Sequence, residues 1–446
     1  MESEFICEEG EVSEEEPNVL GAQVLRQASA ILRAGPICDE CLGRAFARLG
    51  HGLSNGERGR ALRTVARLLG IGERGGACWV CEDLFARVDD WARRAASLAE
   101  GIEYETYLVG VKVTPRLSEA EHLFKERFPT GLTEPLKHAF NREVGKAFEK
   151  ETRRGTLALE SPHLWFTANL AENGLSLRVL PLTIYGRYRK LVRGIPQTHW
   201  PCGRCRGRGC PACGETGRQY PESVEELIAP PFLEAAGASG ARLHGAGRED
   251  IDARMLGSGR PFVLELVSPR SRRLDVASLE RVANASALGK VEVAGLRLVS
   301  GEMVARIKEA EAQKTYRALV RFGEGVTTAG LRDALGGLVG RIEQRTPRRV
   351  AHRRADLVRG RRVLEATGGL LTPERANLTL RCDGGLYIKE LVSGDEGRTR
   401  PSLASLLGVA AQVIELDVVD VASGAFPDGP NGGFGQPEAP RVQFGR

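Results

Sequence analysis

The sequence predicts an α+β protein of two domains, a small α/β domain followed by a larger domain with a mixed or antiparallel sheet. At 446 residues, the chain exceeds the usual length of one domain. Hydrophobic residues make up 42% of it, which is enough for real cores. Strand-like segments in the larger part do not alternate strictly with helical ones, so a doubly wound parallel sheet is not expected.

An acidic segment opens the chain. Residues 1–16 contain eight Glu and neither Lys nor Arg, and we expect residues 1–20 to be a solvated, disordered tail. Without those eight Glu, 63 basic residues face 50 acidic ones, so the formal net charge rises from +5 to +13. A basic body of this kind favours a polyanionic partner.

Neither a membrane span nor an export signal is visible in the sequence. No apolar run approaches the roughly 18 residues of a membrane helix. The N-terminus lacks the basic and apolar regions of a signal peptide. We therefore expect a cytoplasmic protein without a membrane partner.

Residues 21–185 mix helices and strands, which indicates the small α/β domain. The segments AQVLRQASAILRAG and RALRTVARLLG are predicted helices, each closed by a glycine. Tyr107–Val113 and LSLRVLPLTIYGRY are predicted strands. A further helix, EPLKHAFNREVGKAFEK, places these apolar side chains on one face: Leu136, Ala139, Phe140, Val144, Ala147 and Phe148.

Residues 186–423 form the predicted larger domain. SVEELIAPPFLEAA is a predicted helix with a proline break, and TAGLRDALGGLVGRIEQ is a predicted helix weakened by its glycines. NLTLRCDGGLYIKELVSG is a predicted hairpin that turns at Asp383–Gly384. The predicted strands are PFVLELV, KVEVAGLRLV and VIELDVVDV. Residues 424–446 are rich in Gly and Pro and are expected to be a loose tail.

Eight of the ten cysteines lie in four Cys-x-x-Cys pairs, a spacing that favours zinc in a chain without an export signal. We predict two structural sites of four thiolates each: Cys38, Cys41, Cys78 and Cys81 in the first, and Cys202, Cys205, Cys210 and Cys213 in the second. The alternatives are buried free thiols for the first set and a redox-active pair for the second. Because four protein ligands leave no open coordination position, neither site is expected to be the reaction centre.

Two segments are dense in basic residues. Residues 185–210 interleave Arg and Lys with Tyr185, Tyr188 and Trp200, a mixture that suits phosphates and exposed bases. Residues 341–362 are dominated by arginines, which favours phosphate binding. The alternatives are a solvated loop between domains for the first segment and a solvated helix face for the second.

Residues 247–262, GREDIDARMLGSGRPF, crowd charged residues and glycines into one loop. The sequence shows no Gly-x-x-x-x-Gly-Lys-Ser/Thr phosphate loop, no strand-flanked Gly-x-Ser-x-Gly elbow and no His-Glu-x-x-His motif. What remains is an aspartate in a turn where glycines let the backbone approach a substrate closely. An arginine beside that carboxylate would keep it ionised and oriented, so that it can act as a nucleophile or a base.

The same loop carries a resemblance to a known family. GRED is similar to the Gly-Arg-x-Asp signature of pseudouridine synthases. Over most of residues 21–423, the chain resembles the archaeal tRNA pseudouridine synthases of the Pus10 family, through RYRKLVRGIPQTHWPCGRCRGRGCPACGETGRQYPESVEELI, GAGREDIDARMLGSGRPFVLEL, KTYRALV and GLYIKELVSGDEGRTRPSLASLLG. The resemblance implies a zinc-bearing THUMP-type RNA-binding domain at 21–185 and a catalytic domain with a mixed, largely antiparallel sheet at 186–423.

The resemblance also implies the catalytic residue. The aspartate of Gly-Arg-x-Asp falls on Asp250, which would be the nucleophile. Asp252, two residues further on, is the rival, and we expect it to support the loop instead. Arg248 would help to hold the loop and the phosphate of the everted nucleotide.

Further substrate contacts follow from two other motifs of the family. Its Lys-x-Tyr motif falls on Lys314 and Tyr316, and Tyr316 would stack on the flipped base; a core tyrosine in a strand is the alternative. Its Tyr-Ile-Lys-Glu motif places Tyr387 at the substrate and Lys389 near the aspartate. The chain departs from the family in its GDxGRT stretch, where Ser393 stands in place of the expected histidine, which weakens any role for a side chain there.

The activity implied by the resemblance is isomerisation of uridine to pseudouridine at positions 54 and 55 of the TΨC arm of tRNA. It implies no organic cofactor, structural zinc, and no obligate protein partner. Two other classes stay open. A different THUMP-type tRNA modifier would need a nucleotide-binding or S-adenosylmethionine loop, which we do not find. A non-catalytic zinc-containing tRNA-binding adaptor would not need Asp250, Tyr316 and Lys389 in concert.

Overall fold

The structure is a computed structural model that describes residues 17–352, 354–422 and 434. It contains two compact units, divided between Val179 and Leu180. The predicted boundary after residue 185 therefore falls inside a strand of the second unit, Leu182–Lys190. The segment LSLRVLPLTIYGRY is two strands rather than one, because the chain leaves the first sheet before Pro181 and enters the second sheet after it.

The two predicted tails lie mostly outside the described residues. Residues 1–16 belong to the first tail, and residues 424–446, all outside the described residues apart from Phe434, make up the second. A helix already begins at Pro17, so residues 17–20 do not belong to a disordered tail. Proline suits the first turn of a helix, where its missing N–H has no partner to lose.

The first unit is a four-stranded sheet with helices. Its strands run in the order β2-β1-β3-β4, parallel from β2 to β3 and antiparallel between β3 and β4. The strands are β1 (Thr106–Lys112), β2 (Thr156–Leu157), β3 (Leu164–Asn169) and β4 (Gly174–Val179). The helices are α1 (Pro17–Ala34), α2 (Asp39–Arg44), α3 (Asn55–Leu68), α4 (Val88–Leu98), α5 (Pro115–Arg127) and α6 (Leu136–Thr152).

Helix α6 covers the sheet of this unit with the predicted apolar face. Leu136, Ala139, Phe140, Val144 and Phe148 are buried, which confirms that face; only the predicted Ala147 is partly exposed. Helices α2 and α3 meet backbone to backbone. A Cβ on Gly43 would lie 1.8 Å from the carbonyl oxygen of Asn55, so only glycine fits this contact.

The second unit is built on a ten-stranded sheet. Its order is β13-β10-β11-β12-β9-β14-β7-β5-β8, with β6 paired to β7. Every adjacent pair is antiparallel except β14 and β7, which confirms the prediction of a mixed, largely antiparallel sheet. The strands are β5 (Leu182–Lys190), β6 (Gly240–Gly245), β7 (Arg254–Val267), β8 (Val291–Val299), β9 (Lys314–Phe322), β10 (Gly340–Arg345), β11 (Val358–Thr372), β12 (Arg375–Cys382), β13 (Thr399–Arg400) and β14 (Ala411–Val421).

Helices of the second unit bury apolar side chains in the same hydrophobic core as this sheet or in a smaller cluster that includes Tyr185 and Val263. They are α7 (Val224–Ile228), α8 (Pro230–Ala236), α9 (Val276–Ser286), α10 (Met303–Glu309), α11 (Thr328–Leu338), α12 (Ile388–Ser393) and α13 (Leu403–Leu407). The proline break predicted within SVEELIAPPFLEAA is confirmed as the junction of α7 and α8. None of the helices in the described residues has the length and hydropathy that a membrane span requires.

Two predictions of local structure in this unit are wrong. The hairpin does not turn at Asp383–Gly384; β12 pairs with β11 on one side and β9 on the other, and LYIKELVSG contains helix α12. Ile388, Leu391 and Val392 follow a helical spacing and are buried in the core. The helix predicted for TAGLRDALGGLVGRIEQ ends at Leu338, and its last residues form strand β10.

The basic segment 341–362 is not a helix face. It forms β10, a 3-10 turn at Arg348–Val350 and the start of β11. The turn joins two antiparallel neighbours at one end of the sheet. This turn carries Arg349 to the site described next.

Candidate active site

A cavity of about 340 Å³ lies between the loop that joins β6 to β7 and the start of strand β9. The loop, residues 246–253, contains the Gly-Arg-x-Asp sequence. The 3-10 turn at 348–350 and the N-terminal end of α12 close the cavity from the other side. All these segments belong to the second unit.

Gly247 is required by the backbone of this loop. Its φ is +78°, which glycine adopts without strain. A Cβ at this position would also lie 2.8 Å from the Nζ atom of Lys314. The positive φ therefore explains the glycine, and the short distance shows that the end of the Lys314 side chain lies against this turn.

The carboxylate of Asp250 is bound by two cations from distant parts of the chain. Its Oδ1 accepts a hydrogen bond from Nη1 of Arg349 at 3.1 Å. Its Oδ2 lies 3.4 Å from Nζ of Lys389, at the start of α12. The side chain is 32% exposed, so the carboxylate is held in place but still open to the cavity.

Asp252 binds the same lysine and lies largely in solvent. Lys389 donates to the two carboxylate oxygens of Asp252 at 2.8 and 2.7 Å. The side chain of Asp252 is 66% exposed. Burial raises the pKa of Asp252, but the hydrogen bond and the charge of Lys389, together with the charge of Arg349, hold that pKa below its ordinary value. Asp252 does not line the cavity that holds Tyr316, whereas Asp250 does.

Glu249, the third residue of the Gly-Arg-x-Asp sequence, fixes the loop to the neighbouring strands β5 and β7 through buried ion pairs. Its carboxylate accepts hydrogen bonds from Nε of Arg260 at 2.8 Å and from the hydroxyl of Tyr188 at 2.9 Å, with Nζ of Lys190 at 3.8 Å. Burial raises the pKa of Glu249, but Arg260 and Lys190 hold it below the ordinary value. Lys190 also donates to the backbone oxygen of Asp250 at 3.2 Å. The sequence analysis did not identify Glu249 or Arg260 as site residues.

Strand β9 contributes two side chains to the cavity. Lys314 and Tyr316 are two residues apart and so lie on the same face of the strand. Burial raises the pKa of Tyr316 well above its ordinary value, so its hydroxyl stays protonated. Burial and the nearby Arg260 lower the pKa of Lys314 to about 7.

Tyr387 stands just before α12 and is fixed by its backbone. Its N–H donates to Oε1 of Gln344 at 2.8 Å, and its carbonyl oxygen accepts from Nε2 of the same side chain at 3.0 Å. The guanidinium of Arg349 lies 5.8 Å from the centre of its ring. The ring is partly exposed and lines the cavity, as the prediction requires of a substrate contact.

Arg349 was predicted only as part of the basic segment 341–362, but in the structure it lies in the site. Besides Asp250, it donates from Nε to Glu390 of helix α12 at 2.6 Å. Burial lowers the pKa of Arg349, but Glu390 and Asp250 raise it above the ordinary value. The density of arginine in residues 341–362 was the available signal, although it could not single out Arg349.

Arg248 is exposed and does not bind Asp250. Its guanidinium lies 5.5 Å from the ring centre of Trp200, on the edge of the cavity. The arginine expected beside the carboxylate of Asp250 is therefore Arg349 and not Arg248. The position of Arg248 is compatible with the predicted contact to a nucleotide phosphate.

The first group of four cysteines meets in the first unit. The sulfur atoms of Cys38, Cys41, Cys78 and Cys81 lie within 4.8 Å of one another. A tetrahedral zinc ion with Zn–S bonds of about 2.3 Å would separate its sulfur atoms by about 3.8 Å, and Cys38 and Cys81 are 3.6 Å apart. Buried Arg44 lies beside Cys41, and its Nε and Nη2 have no hydrogen-bond partner among the described residues. Its Nη1 pairs with Glu121 at 3.1 Å, and metal-bound thiolates would place further negative charge beside its other two nitrogens.

The second group forms a compact knuckle in the second unit. The sulfur atoms of Cys202, Cys205, Cys210 and Cys213 lie within 4.8 Å of one another. Backbone N–H groups of Cys210 and Gly217 donate to the sulfur of Cys213 at 3.3 and 3.2 Å. Such bonds stabilise thiolates, so this group can also hold one zinc ion.

Comparison with known proteins identifies the family of this chain. Residues 183–422 match the model of the Pus10 C-terminal domain, and residues 91–169 match that of the archaeal Pus10 THUMP domain. The protein named tRNA pseudouridine synthase Pus10 of Methanothrix thermoacetophila is 46% identical over 91% of this chain and 96% of its own length. The protein of the same name from Halorubrum lacusprofundi is 48% identical over 89% and 96%.

Among solved structures, a Cbf5-Nop10-Gar1 complex aligns with 44% of this chain and 45% of the matched chain, at 18% identity and a TM-score of 0.28. That likeness is too distant to carry an argument. The two domain models and the relatives just named agree with each other over most of the chain. The chain belongs to the Pus10 family.

Proposed function

We propose that this protein is a tRNA pseudouridine synthase that converts uridine to pseudouridine with Asp250 as its catalytic residue. The observation that carries the proposal is a partly exposed carboxylate held by two cations in a cavity with tyrosines. The names of its archaeal relatives support the same reaction. The tRNA positions that we propose are 54 and 55 of the TΨC arm.

The target uridine must leave the RNA stack before it can enter this cavity. Extrusion of a base costs a few kcal/mol. Stacking on an aromatic ring stabilises the extruded base by about 1–3 kcal/mol, and contacts to phosphates contribute further. We assign the stacking to Tyr316, whose ring is fixed by burial and whose hydroxyl does not ionise at neutral pH. Tyr387 would form the opposite, more open wall.

Asp250 then promotes cleavage of the bond between N1 and C1′. It would do so either by attack on C1′ or by removal of the proton at C2′, and both routes need an ionised carboxylate in contact with the sugar. Arg349 and Lys389 orient its two oxygens. The detached uracil rotates within the cavity and rejoins the sugar through C5; C5 then loses its proton, N1 gains one, and Asp250 is released as the free carboxylate, so that no net group is consumed. The reaction exchanges no electrons with an external group, so we propose no organic cofactor.

The two cysteine groups would each hold a structural zinc ion. In the first unit, zinc would tie the start of α2 to residues 78–81, some 40 positions away. In the second unit, it would stabilise the knuckle that follows Trp200. With four protein ligands, neither ion would have a position for a substrate.

The test is a pseudouridine map of unmodified tRNA after incubation with the pure protein. Asp250→Asn should abolish pseudouridine formation and leave tRNA binding within a few fold of wild type. Asp252→Asn is the matched control, because it also removes a negative charge next to Lys389 but lies outside the cavity with Tyr316. Turnover by Asp250→Asn at the wild-type rate would refute the assignment, and tRNA binding by wild type without any turnover would favour an adaptor.

A further inference from the structure

A second cavity, of about 350 Å³, adjoins the first and shares the carboxylate of Asp250 with it. Asp250, Arg349 and Lys389 belong to the walls of both cavities. The second cavity has its own wall of Pro196, Gln197 and Trp200. Its volume lies in the range of about 300–1,000 Å³ that is usual for sites of small ligands. A group bound there would lie directly beside the group bound at Tyr316.

Trp200 provides this cavity with a fixed aromatic surface. Its ring packs edge-on against Tyr220, with ring centres 5.7 Å apart at an angle of 78°. Its carbonyl oxygen accepts a hydrogen bond from the N–H of Gln219 at 2.9 Å. The cysteine knuckle begins two residues later, at Cys202. The knuckle and the Tyr220 contact therefore hold the indole at the mouth of the cavity.

Two positively charged side chains near Trp200 could bind the phosphate of a nucleotide. The guanidinium of Arg248 lies 5.5 Å from the indole ring centre, and Arg354 also lines the cavity. Neither arginine forms an ion pair with any residue that the structure describes. The acidic groups of the wall are already engaged: Glu249 with Arg260, and Asp252 with Lys389. Two arginines without ion-pair partners among the described residues, one of them in contact with an aromatic ring, are typical of sites that stack a base and bind its phosphate.

We propose that the second cavity binds the nucleotide next to the target uridine in the RNA strand, with its base on Trp200 and its phosphate at Arg248 and Arg354. This proposal rests on the proposed function, because it takes the target uridine to lie at Tyr316. Once the target base is extruded, its neighbour loses a stacking partner. Stacking on Trp200 replaces that contact, so the enzyme stabilises two unstacked nucleotides side by side.

The test uses synthetic RNA hairpins of the TΨC-arm type with one target uridine. In one pair of hairpins, the residue on the 5′ or the 3′ side of the target is replaced by an abasic ribose. For the wild-type protein, removal of the base on one of the two sides should lower kcat/KM by about 5- to 150-fold, the range expected for one stacked base. Trp200→Ala should show the same loss on the intact hairpin and no further loss on the abasic one.

Two further variants separate stacking from folding. Trp200→Phe keeps an aromatic ring and should retain most of the penalty of the abasic neighbour. Trp165→Ala is the matched control, since Trp165 is a partly exposed tryptophan of the first unit and should leave the full penalty in place. Far-ultraviolet circular dichroism and zinc content show whether Trp200→Ala keeps its fold and its knuckle.

Two results would overturn the proposal. The first is an abasic neighbour that costs wild type nothing on either side, which would also be the outcome if the cavity receives the detached uracil. The second is an equal penalty in wild type and Trp200→Ala. If the wild-type protein forms no pseudouridine in any hairpin, the proposed function fails; the dissociation constants of the same proteins and hairpins then decide the nucleotide site independently.

Discussion

Replacement of Glu249 by glutamine should destabilise the second unit strongly, although Glu249 has no part in the proposed reaction. The carboxylate is 1% exposed and offsets the charges of Arg260 and Lys190, which are equally buried. Glutamine has nearly the same shape but no charge, so it leaves buried Arg260 without its ion-pair partner and removes the nearest negative charge from Lys190. Removal of one partner from a buried ion pair costs about 3–5 kcal/mol. Glu249→Gln should therefore lower the free energy of unfolding of this unit by that amount.

Hydrogen exchange followed by mass spectrometry measures this effect in the second unit alone. We expect peptides from the interior strands β5 and β7, each paired on both sides, to exchange through global opening of their unit, so that their protection gives its unfolding free energy. The loop should also lose its position, because Lys190 binds both Glu249 and the backbone of Asp250. We expect pseudouridine formation to fall together with protection.

Asp252→Asn is the control for this measurement. It removes a charge two residues further along the chain, but from an exposed pair with Lys389, for which about 0–1 kcal/mol is expected. If Glu249→Gln lowers the protection of β5 and β7 by less than 1 kcal/mol, or by no more than Asp252→Asn does, the buried ion pairs do not hold the loop and the reasoning is refuted.

Three other changes have defined outcomes. The native pKa of Lys314, about 7, lies below the ordinary lysine value of 10.5, so the unfolded chain binds more protons between these pH values and the cost of burying this lysine falls as the pH rises. Lys314→Met should thus raise the unfolding free energy more at pH 6 than at pH 10, and an equal gain in denaturant titrations at both pH values contradicts this. Arg349→Lys keeps the positive charge but loses the planar guanidinium, which binds Asp250 and Glu390 at the same time. Loss of one hydrogen bond to a charged group costs about 1.5–3 kcal/mol, so kcat should fall by about 10- to 150-fold. An unchanged kcat would mean that Arg349 does not orient Asp250. Elemental analysis should find two zinc ions per chain, falling to one in Cys41→Ser and in Cys205→Ser; wild-type protein that folds without zinc rules out both sites.

Local patterns in the sequence were sufficient for several features. The apolar spacing of Leu136, Phe140, Val144 and Phe148 predicted the buried face of α6, because one helical turn fixes which side chains share a face. The four Cys-x-x-Cys pairs predicted two groups of four sulfur atoms, because each pair needs only one turn to bring its two thiols together. The mixed sheet followed from strands that do not alternate with helices.

The same kind of reasoning failed where a segment had two plausible local structures. NLTLRCDGGLYIKELVSG contains a turn sequence between two apolar stretches, and this pattern predicts a hairpin. In the structure both edges of β12 are already occupied, by β11 and β9, so the second stretch has no strand to pair with. It forms α12 instead, and α12 is the element that carries Lys389 and Glu390 to the site.

By itself, the sequence determined which residue types are present and which of them are neighbours along the chain: Asp250 in its Gly-Arg-x-Asp turn, Tyr316 two positions after Lys314, and the paired cysteines. Only the tertiary structure decided which charges meet. Asp250 binds Arg349, 99 positions away, rather than Arg248 beside it. Glu249 lies on Arg260 and Lys190 beneath the loop. Periodicity and short spacings act within one turn or one strand, whereas these contacts depend on the order and register of ten strands, which no local pattern encodes.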